Sequence, residues 1–108
     1  MNILDKIIEN KKEEVARNKQ LISQEQLRQQ PDFNRPVFSL KNFLLDETKT
    51  GIIAEFKRRS PSKGIINNSA DVVEATNSYT QHGASCLSIL TDSDFFGGSA
   101  NDLIKARV

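Results

Sequence analysis

The 108-residue sequence has no tryptophan, one tyrosine, one cysteine and three prolines. A single cysteine, Cys86, cannot form a disulfide within the chain, which is typical of proteins in the reducing cytoplasm. Positive and negative side chains nearly balance at a net charge of +1, which argues against a dedicated nucleic-acid binder. No apolar run approaches the roughly 18 residues that span a membrane, and acidic residues interrupt any secretory signal. We expect a soluble cytoplasmic protein with no membrane partner.

Motifs for organic cofactors and metals are also missing from the sequence. It contains no Walker motif, no G-x-G-x-x-G string and no zinc-binding spacing. His82 ends a predicted helix, has no cysteine or carboxylate at metal-ligand spacing, and is interpreted as structural. Cys86 falls in a predicted strand and is interpreted as a small buried hydrophobe. We therefore expect neither a metal nor a cofactor.

The first half of the sequence has a helical pattern. Leu, Ile, Val and Phe together exceed the ~20% below which chains are usually disordered, so at least part of the chain folds. Apolar residues at helical spacing predict an amphipathic helix over 3–20, with Asn2 as its N-cap. An S-x-x-Q capping box at Ser23 predicts a short second helix, and another apolar stripe predicts a helix over 39–45. We interpret residues 1–50 as an N-terminal helical extension.

The second half, residues 51–108, changes to an alternating pattern. Its predicted order is strand, helix, strand, helix, at 52–57, 71–82, 84–91 and from Ser99 onward. This alternation favours an α/β fold with parallel strands. Two strands do not complete a parallel sheet, so we expect the chain either to be truncated or to complete its sheet with another copy of itself.

One face of the first predicted strand carries opposite charges. Side chains alternate along a strand, so Ile53, Glu55 and Lys57 share one face, while the other face is apolar. The charged pair lies near the carboxyl end of the strand, where active sites of parallel α/β folds lie. A buried Glu–Lys pair there can hold an anionic substrate, and the lysine can act as a general acid. It can equally be an internal ion pair without catalytic use.

Two segments that follow the strands have the composition of binding loops. Segment 57–63 carries four cations with hydroxyls between them, which suits phosphate or carboxylate groups, RNA, a phosphorylation segment or a solvated loop. Because the chain has no other extended basic face, we expect no nucleic-acid partner. Segment 95–99 reads Phe-Phe-Gly-Gly-Ser. Its glycines favour a turn into a helix over an anion site, and its phenylalanines can line an aromatic pocket or plug the rim of a barrel.

Three parts of the sequence resemble the indole-3-glycerol-phosphate synthase family. The string Ile-Ile-Ala-Glu-Phe-Lys-Arg-Arg-Ser-Pro-Ser at 52–62 resembles the signature of that family. Segments 87–92 and 96–99 are similar to its second strand and the following loop, and 3–15 is similar to its N-terminal extension. The resemblance runs in order through essentially the whole chain. Arg59 departs from the family pattern, which usually has a smaller residue or a lysine there.

The resemblance implies an α/β fold in which an N-terminal helical extension precedes the first strand–helix–strand–helix part of a TIM (β/α)8 barrel, truncated before strand 3. It implies a carboxy-lyase of tryptophan biosynthesis. The substrate would be a phosphorylated small molecule, 1-(2-carboxyphenylamino)-1-deoxyribulose 5-phosphate. Ring closure, decarboxylation and dehydration of that substrate give indole-3-glycerol phosphate.

The same resemblance assigns roles to four residues. Glu55 and Lys57 are the candidate catalytic residues: Lys57 contacts the anionic substrate and can serve as an acid, and Glu55 orients its neighbours or stabilises a cationic intermediate. Lys57, Ser60 and Phe96 are the candidate substrate-binding residues. Ser60 shapes the loop at the substrate carboxylate, and Phe96 packs on the aromatic ring.

Other site groups of the family have no counterpart in this sequence: a lysine on the third strand, a glutamate on the fifth and phosphate-binding loops near the last strands. We therefore expect the 108-residue chain alone to be inactive and to self-associate through an open apolar strand edge. Two alternatives to a lyase fragment stay open. One is a non-catalytic, self-assembling quarter-barrel module, and the other is an RNA-binding module that uses segment 57–63.

Overall fold

The computed structural model describes residues 2–107, which form two compact units that divide after Phe38. The first unit is helical, and the second combines helices with two small sheets. Within the described residues, no helix is both long enough and apolar enough to cross a membrane.

The first unit contains two helices with well-formed N-terminal caps. α1 (Ile3–Leu21) begins after Asn2, whose side chain accepts a hydrogen bond from the Asp5 amide at 2.9 Å, while Asp5 accepts one from the Asn2 amide. α2 (Gln24–Arg28) has the same reciprocal cap, with Ser23 at its start. Both predicted caps are therefore confirmed. The side-chain oxygens of Asn2 and Ser23 accept hydrogen bonds from amides that have no partner within the first helical turn.

The second unit begins with a short helix and continues as an α/β segment. Its elements are α3 (Leu40–Leu45), β1 (Ile53–Phe56), β2 (Arg59–Ser60), β3 (Gly64–Ile65), α4 (Val72–Gln81), β4 (Cys86–Ile89) and α5 (Ala100–Arg107). β1 and β4 pair in parallel, with Glu55 opposite Ser88. The predicted order of strand, helix, strand and helix is confirmed. Parallel strands need a long crossover connection, and α4 supplies it.

The apolar core lies between β1 and α4. Phe56 is 3% exposed and Val72 is 2% exposed, and they are the buried hydrophobic residues of the described range. Thr76, one turn further along α4, is also buried, and its hydroxyl donates to the Val72 carbonyl at 2.7 Å. Asp71 caps α4 by accepting hydrogen bonds from two first-turn amides at 2.8 and 3.1 Å. The apolar face predicted for the first strand therefore packs under a helix, as expected.

The segment between β1 and α4 contains an antiparallel hairpin where the sequence predicts a loop. In it, β2 pairs with β3, with Ser60 opposite Gly64. Gly64 has a φ angle of 66°, a conformation that glycine adopts without a steric penalty and that allows the chain to reverse. The two strands are only two residues long, too short to leave a recognisable alternation of side chains.

α3 packs against β4 in the second unit. The Cys86 sulfur lies 4.0 Å from the Leu40 carbonyl oxygen. The two compact units divide after Phe38, and the helical extension predicted over residues 1–50 stays a prediction. Cys86 is partly exposed, so the prediction of a buried cysteine is wrong. A helix of six residues covers only part of the face that carries this side chain.

Candidate active site

The candidate site lies where β1 and β4 end. Phe56 is opposite Ile89, and the Leu90 amide donates to the Phe56 carbonyl at 3.1 Å. Because the strands are parallel, their carboxyl ends lie side by side, and both following loops leave from the same edge of the sheet. Catalytic and binding groups gather at this edge in parallel α/β folds.

Glu55 and Lys57 come together at this edge. The Lys57 Nζ lies 3.7 Å from the Glu55 Oε1, and the Ser88 hydroxyl donates to the Glu55 Oε2 at 3.3 Å. The prediction that Glu55 and Lys57 lie on the same face of the first strand is therefore confirmed. The Lys57 and Glu55 side chains are 37% and 44% exposed, so the interpretation as a buried pair is wrong for the described residues, in which β1 and β4 form a sheet of two strands. An exposed ion pair contributes at most about 1 kcal/mol to stability, so little stability is lost if either group turns to a ligand.

Phe96 ties the loop after β4 to the end of β1. Its carbonyl oxygen accepts hydrogen bonds from the amides of Arg58 and Arg59, each at 3.3 Å. The Phe96 backbone is thereby held beside the residue that follows Lys57. Its side chain is half-buried. The structure therefore brings Phe96 and Lys57 to the same edge of the sheet, as the sequence predicted.

The two glycines after Phe96 are needed for close packing of the chain. Gly97 has a φ angle of 68°, in the left-handed region. The Gly98 amide donates to the Asp92 carbonyl at 2.8 Å, and a Cβ at Gly98 would lie only 1.8 Å from the Leu90 carbonyl oxygen. These contacts agree with the favoured interpretation of the glycines as a turn into α5.

Ser60 is buried, and its hydroxyl is used within the hairpin. The Ser60 Oγ accepts a hydrogen bond from the Lys63 amide at 3.2 Å and lies 3.4 Å from the Ser62 Oγ. These bonds give Ser60 a structural part in the turn between β2 and β3. Its expected place at a substrate carboxylate stays a prediction.

The cations of segment 57–63 do not form one ligand-facing surface. The Arg59 Nη2 donates to the carbonyls of Ser93 and Asp94 at 2.6 and 2.9 Å, so this guanidinium braces the loop after β4. Arg58 is also used within the chain, which leaves the two lysines of the segment exposed. Of the four cations of this segment, both arginines are therefore engaged with partners that lie far along the chain.

Arg58 and Asp102 form a bidentate ion pair that the sequence did not predict. The Nη1–Oδ2 distance is 2.5 Å and the Nη2–Oδ1 distance is 2.9 Å, with side chains 18% and 7% exposed. The hydrogen bond from Arg58 holds the pKa of Asp102 below its ordinary value, although burial acts in the opposite direction. The same hydrogen bond raises the pKa of Arg58.

The only local signal at Asp102 pointed to a different role. Asp102 is the third residue after Ser99, a spacing typical of a capped helix start, and the Ser99 hydroxyl accepts a hydrogen bond from the Asp102 amide at 3.3 Å. The Asp102 carboxylate, however, pairs with Arg58 in the segment between β1 and β2. A partner 44 residues away leaves no trace in the spacing of either residue.

His82 has the structural role predicted for it. It is the C-cap residue of α4, and its Nδ1 lies 2.7 Å from the Ser78 carbonyl oxygen. Among residues 2–107, no three side chains of the types His, Cys, Asp and Glu are grouped so that they could hold a metal ion.

Comparison with known proteins points to one family. A family model described as indole-3-glycerol phosphate synthase matches residues 4–108. The chain is 51% identical to the indole-3-glycerol phosphate synthase of Bacteroides thetaiotaomicron. It is 41% and 43% identical to proteins of the same name from Bordetella pertussis and Polynucleobacter asymbioticus. Each match covers 98% of this chain but only 40%, 42% and 43% of the respective relatives, so the chain spans about two fifths of their length.

Proposed function

We propose that this chain, which belongs to the indole-3-glycerol phosphate synthase family, forms the N-terminal part of such an enzyme. The family consists of decarboxylating lyases of tryptophan biosynthesis with a TIM-barrel fold. We assign residues 1–50 to an N-terminal extension and residues 51–108 to the first quarter of the barrel, ending before its third strand. The parallel pairing of β1 and β4 across a helical crossover supports this assignment.

The proposed reaction converts 1-(2-carboxyphenylamino)-1-deoxyribulose 5-phosphate into indole-3-glycerol phosphate, CO2 and water. The ribulose carbonyl carbon bonds to the ring carbon that bears the carboxylate, and the bond to that carboxylate then breaks. The hydroxyl formed from the carbonyl oxygen then leaves as water, and the neighbouring carbon bonded to nitrogen loses a proton, which forms the double bond of the indole ring. Protonation of the carbonyl oxygen and of the leaving hydroxyl requires a positioned acid.

The position of Lys57 carries the proposal. Its ammonium group stands at the carboxyl end of β1, 3.7 Å from Glu55 and 37% exposed, where an anionic substrate can reach it. We assign substrate contact and proton donation to Lys57. We assign orientation of that ammonium group, and stabilisation of the cationic intermediate, to Glu55. A lysine is a compact charge on a flexible stem, so a neighbouring carboxylate has a large effect on where it points.

Phe96 and Ser60 complete the proposed substrate site. Phe96 lies in the loop after β4, which leaves the sheet at the same end as Lys57. We propose that its ring packs on the aromatic ring of the substrate. Aromatic rings prefer offset or edge-to-face contacts of this kind. Ser60 is proposed to keep the turn at 60–63 in the shape that the substrate carboxylate requires.

The first experiment is to read the coding sequence beyond the codon for Val108. We expect the frame to continue into a strand that ends in lysine, followed by further strand–helix units. A stop codon at that point would contradict the proposal and make a self-assembling, non-catalytic module the leading account.

Substitution of Lys57 then tests the site in the complete reading frame that contains this sequence. We expect Lys57→Ala to lower the rate of indole-3-glycerol phosphate formation by about 10²–10⁴-fold, the usual contribution of a positioned acid. Lys49→Ala is the matched control, because Lys49 is exposed and precedes β1, on the side away from the candidate site. Circular dichroism would check that both variants fold. Wild-type turnover by a folded Lys57→Ala variant would show that the assignment of Lys57 is wrong.

The 108-residue chain alone is proposed to be inactive and to self-associate. Three apolar side chains of this sheet region are exposed: Ile52 at 58%, Ile53 at 48% and Leu87 at 38%. A two-stranded sheet also leaves the outer side of each strand without a hydrogen-bonded neighbour. Analytical ultracentrifugation of the purified chain should show association that increases with concentration, and Leu87→Lys should weaken it. A monomer at every concentration, or steady indole-3-glycerol phosphate formation by the chain, would contradict these expectations.

The RNA-binding alternative has less support from the geometry. Arg58 and Arg59 donate their hydrogen bonds within the chain, so segment 57–63 offers RNA two exposed lysines rather than four cations. RNA binding that weakens steeply with added salt would favour this alternative.

A further inference from the structure

We infer that the Arg58–Asp102 ion pair is a positioning device that fixes Lys57 and Phe96 relative to each other. This inference rests on the proposed function, because it concerns the support of the proposed site. Neither Arg58 nor Asp102 is assigned a contact with the substrate. Both would act through the backbone segments that they hold.

The Arg58 side chain joins three separate parts of the second unit. Its Nη1 and Nη2 donate to Asp102 in the first turn of α5, as described above. Its Nη1 also donates to the Gly97 carbonyl at 3.2 Å, and its Nε donates to the Ala70 carbonyl at 3.2 Å. One guanidinium group therefore holds the loop after β4, the start of α5 and the approach to α4.

The main chain of Arg58 is fixed as firmly as its side chain. The Arg58 amide donates to the Phe96 carbonyl at 3.3 Å, and the Arg58 carbonyl accepts from the Ile66 and Asn67 amides, each at 2.9 Å. Movement of this one residue would therefore displace both the hairpin side and the Phe96 side of the site.

Lys57 lies between two anchored neighbours. Phe56, which precedes it, is 3% exposed, and the Arg58 Cζ lies 4.9 Å from the centroid of the Phe56 ring. A cation over an aromatic face is attracted to it electrostatically. The Lys57 backbone is thus held from both sides while its side chain stays exposed, which suits a group that must meet a ligand in a defined place.

The pair depends on the shape of both partners as well as on their charges. The planar fork of arginine makes two parallel hydrogen bonds to one carboxylate and still has donors for two carbonyls, whereas lysine offers only a point charge. Asp102 is anchored in turn by the bond from its amide to Ser99. Because both side chains are largely buried, removal of one leaves the other charge without a partner in a poorly solvated place.

The test uses Arg58→Lys and Asp102→Asn in the complete reading frame, with kcat and KM determined separately. We expect each variant to lower kcat/KM by about 10- to 100-fold at temperatures where it is folded, since a displacement near 1 Å can have that effect. The double variant should lose little more than either single variant, because the two side chains act as one unit. Glu14→Gln is the matched control: it removes an exposed ion pair with Lys11, at 2.8 Å in α1, and should change neither parameter.

Hydrogen exchange gives a second readout that does not depend on activity. In Asp102→Asn, the Arg58 and Arg59 amides, which donate to Phe96, should exchange at least tenfold faster than in the wild type, and the α1 amides should not change. If the wild type has no turnover, the proposed function fails, and the exchange result still decides whether the pair holds this edge. Wild-type kcat and KM in folded variants, or unchanged exchange at these amides, would overturn the inference.

Discussion

Replacement of Gly98 by alanine should disrupt the loop that carries Phe96. A Cβ at position 98 would lie 1.8 Å from the Leu90 carbonyl oxygen, 2.8 Å from the Leu90 carbonyl carbon and 3.1 Å from the Thr91 Cα. All three are backbone atoms, so no side-chain rotation relieves the overlap. Carbon–oxygen contacts in proteins are rarely closer than about 3.3 Å, so the end of β4 and the loop must separate by roughly 1.5 Å.

The size of the effect follows from this overlap. Overpacking in a well-packed region typically costs 1–3 kcal/mol when side chains can adjust. Here the backbone itself must move, so we expect Gly98→Ala to lower the free energy of unfolding by about 3 kcal/mol or more. The displaced loop would also lose the hydrogen bonds from Arg58 and Arg59 to Phe96.

Gly64→Ala provides the matched control. Gly64 has a φ angle of 66°, but a Cβ there meets nothing within 4 Å. This variant therefore incurs only the left-handed backbone penalty of about 1–2 kcal/mol. Both variants would be compared with the wild type by urea titration followed by circular dichroism. A Gly98→Ala variant no less stable than Gly64→Ala would refute the close approach of the loop to the end of β4.

Two further substitutions test the electrostatics and the capping of the second unit. Arg58 lowers the pKa of Asp102. The ion pair therefore stabilises the fold fully at a pH above the ordinary carboxyl pKa near 4, and this stabilisation is lost as the pH falls through the lowered pKa of Asp102. The stability difference between wild type and Asp102→Asn should therefore narrow below about pH 4, and a difference independent of pH would contradict the pairing. Asp71→Ala should lower the free energy of unfolding by about 1 kcal/mol, because it leaves two amides of α4 without their acceptor, and Asp71→Asn should retain most of the stability. An Asp71→Ala variant as stable as the wild type in urea would contradict this role of the cap.

Local chemistry explains why the elements could be predicted from the sequence. Asn2, Ser23 and Asp71 each accept hydrogen bonds from amides two or three residues later, so the whole interaction lies within a few adjacent residues. The alternation along β1 likewise predicted correctly that Glu55 and Phe56 point to opposite faces. The existence and order of the elements depend on such short-range patterns, although the predicted and observed ends differ by up to two residues.

The support of the site depends on contacts that no short-range pattern records. Arg58 meets Asp102 across 44 residues, and Arg59 meets Ser93 across 34. A basic string has the same composition whether its charges face solvent, a ligand or carbonyl groups of a distant loop. The predicted burial of Glu55 is wrong for a related reason: burial depends on which parts of the chain pack against a face, and alternation reveals only which residues share it.

Three adjacent residues at the end of β1 therefore have three different roles. Phe56 points inward and anchors the strand in the core, Lys57 stays exposed beside Glu55, and Arg58 braces the neighbouring loops through Asp102. A substitution at any of the three positions can abolish activity in the proposed enzyme, but for different reasons. Loss of Phe56 removes buried apolar contacts and lowers stability, whereas loss of Lys57 removes an exposed group on which the fold does not depend. Loss of Arg58 falls between these cases, because it leaves the chemical group of Lys57 in place while releasing the backbone that positions it.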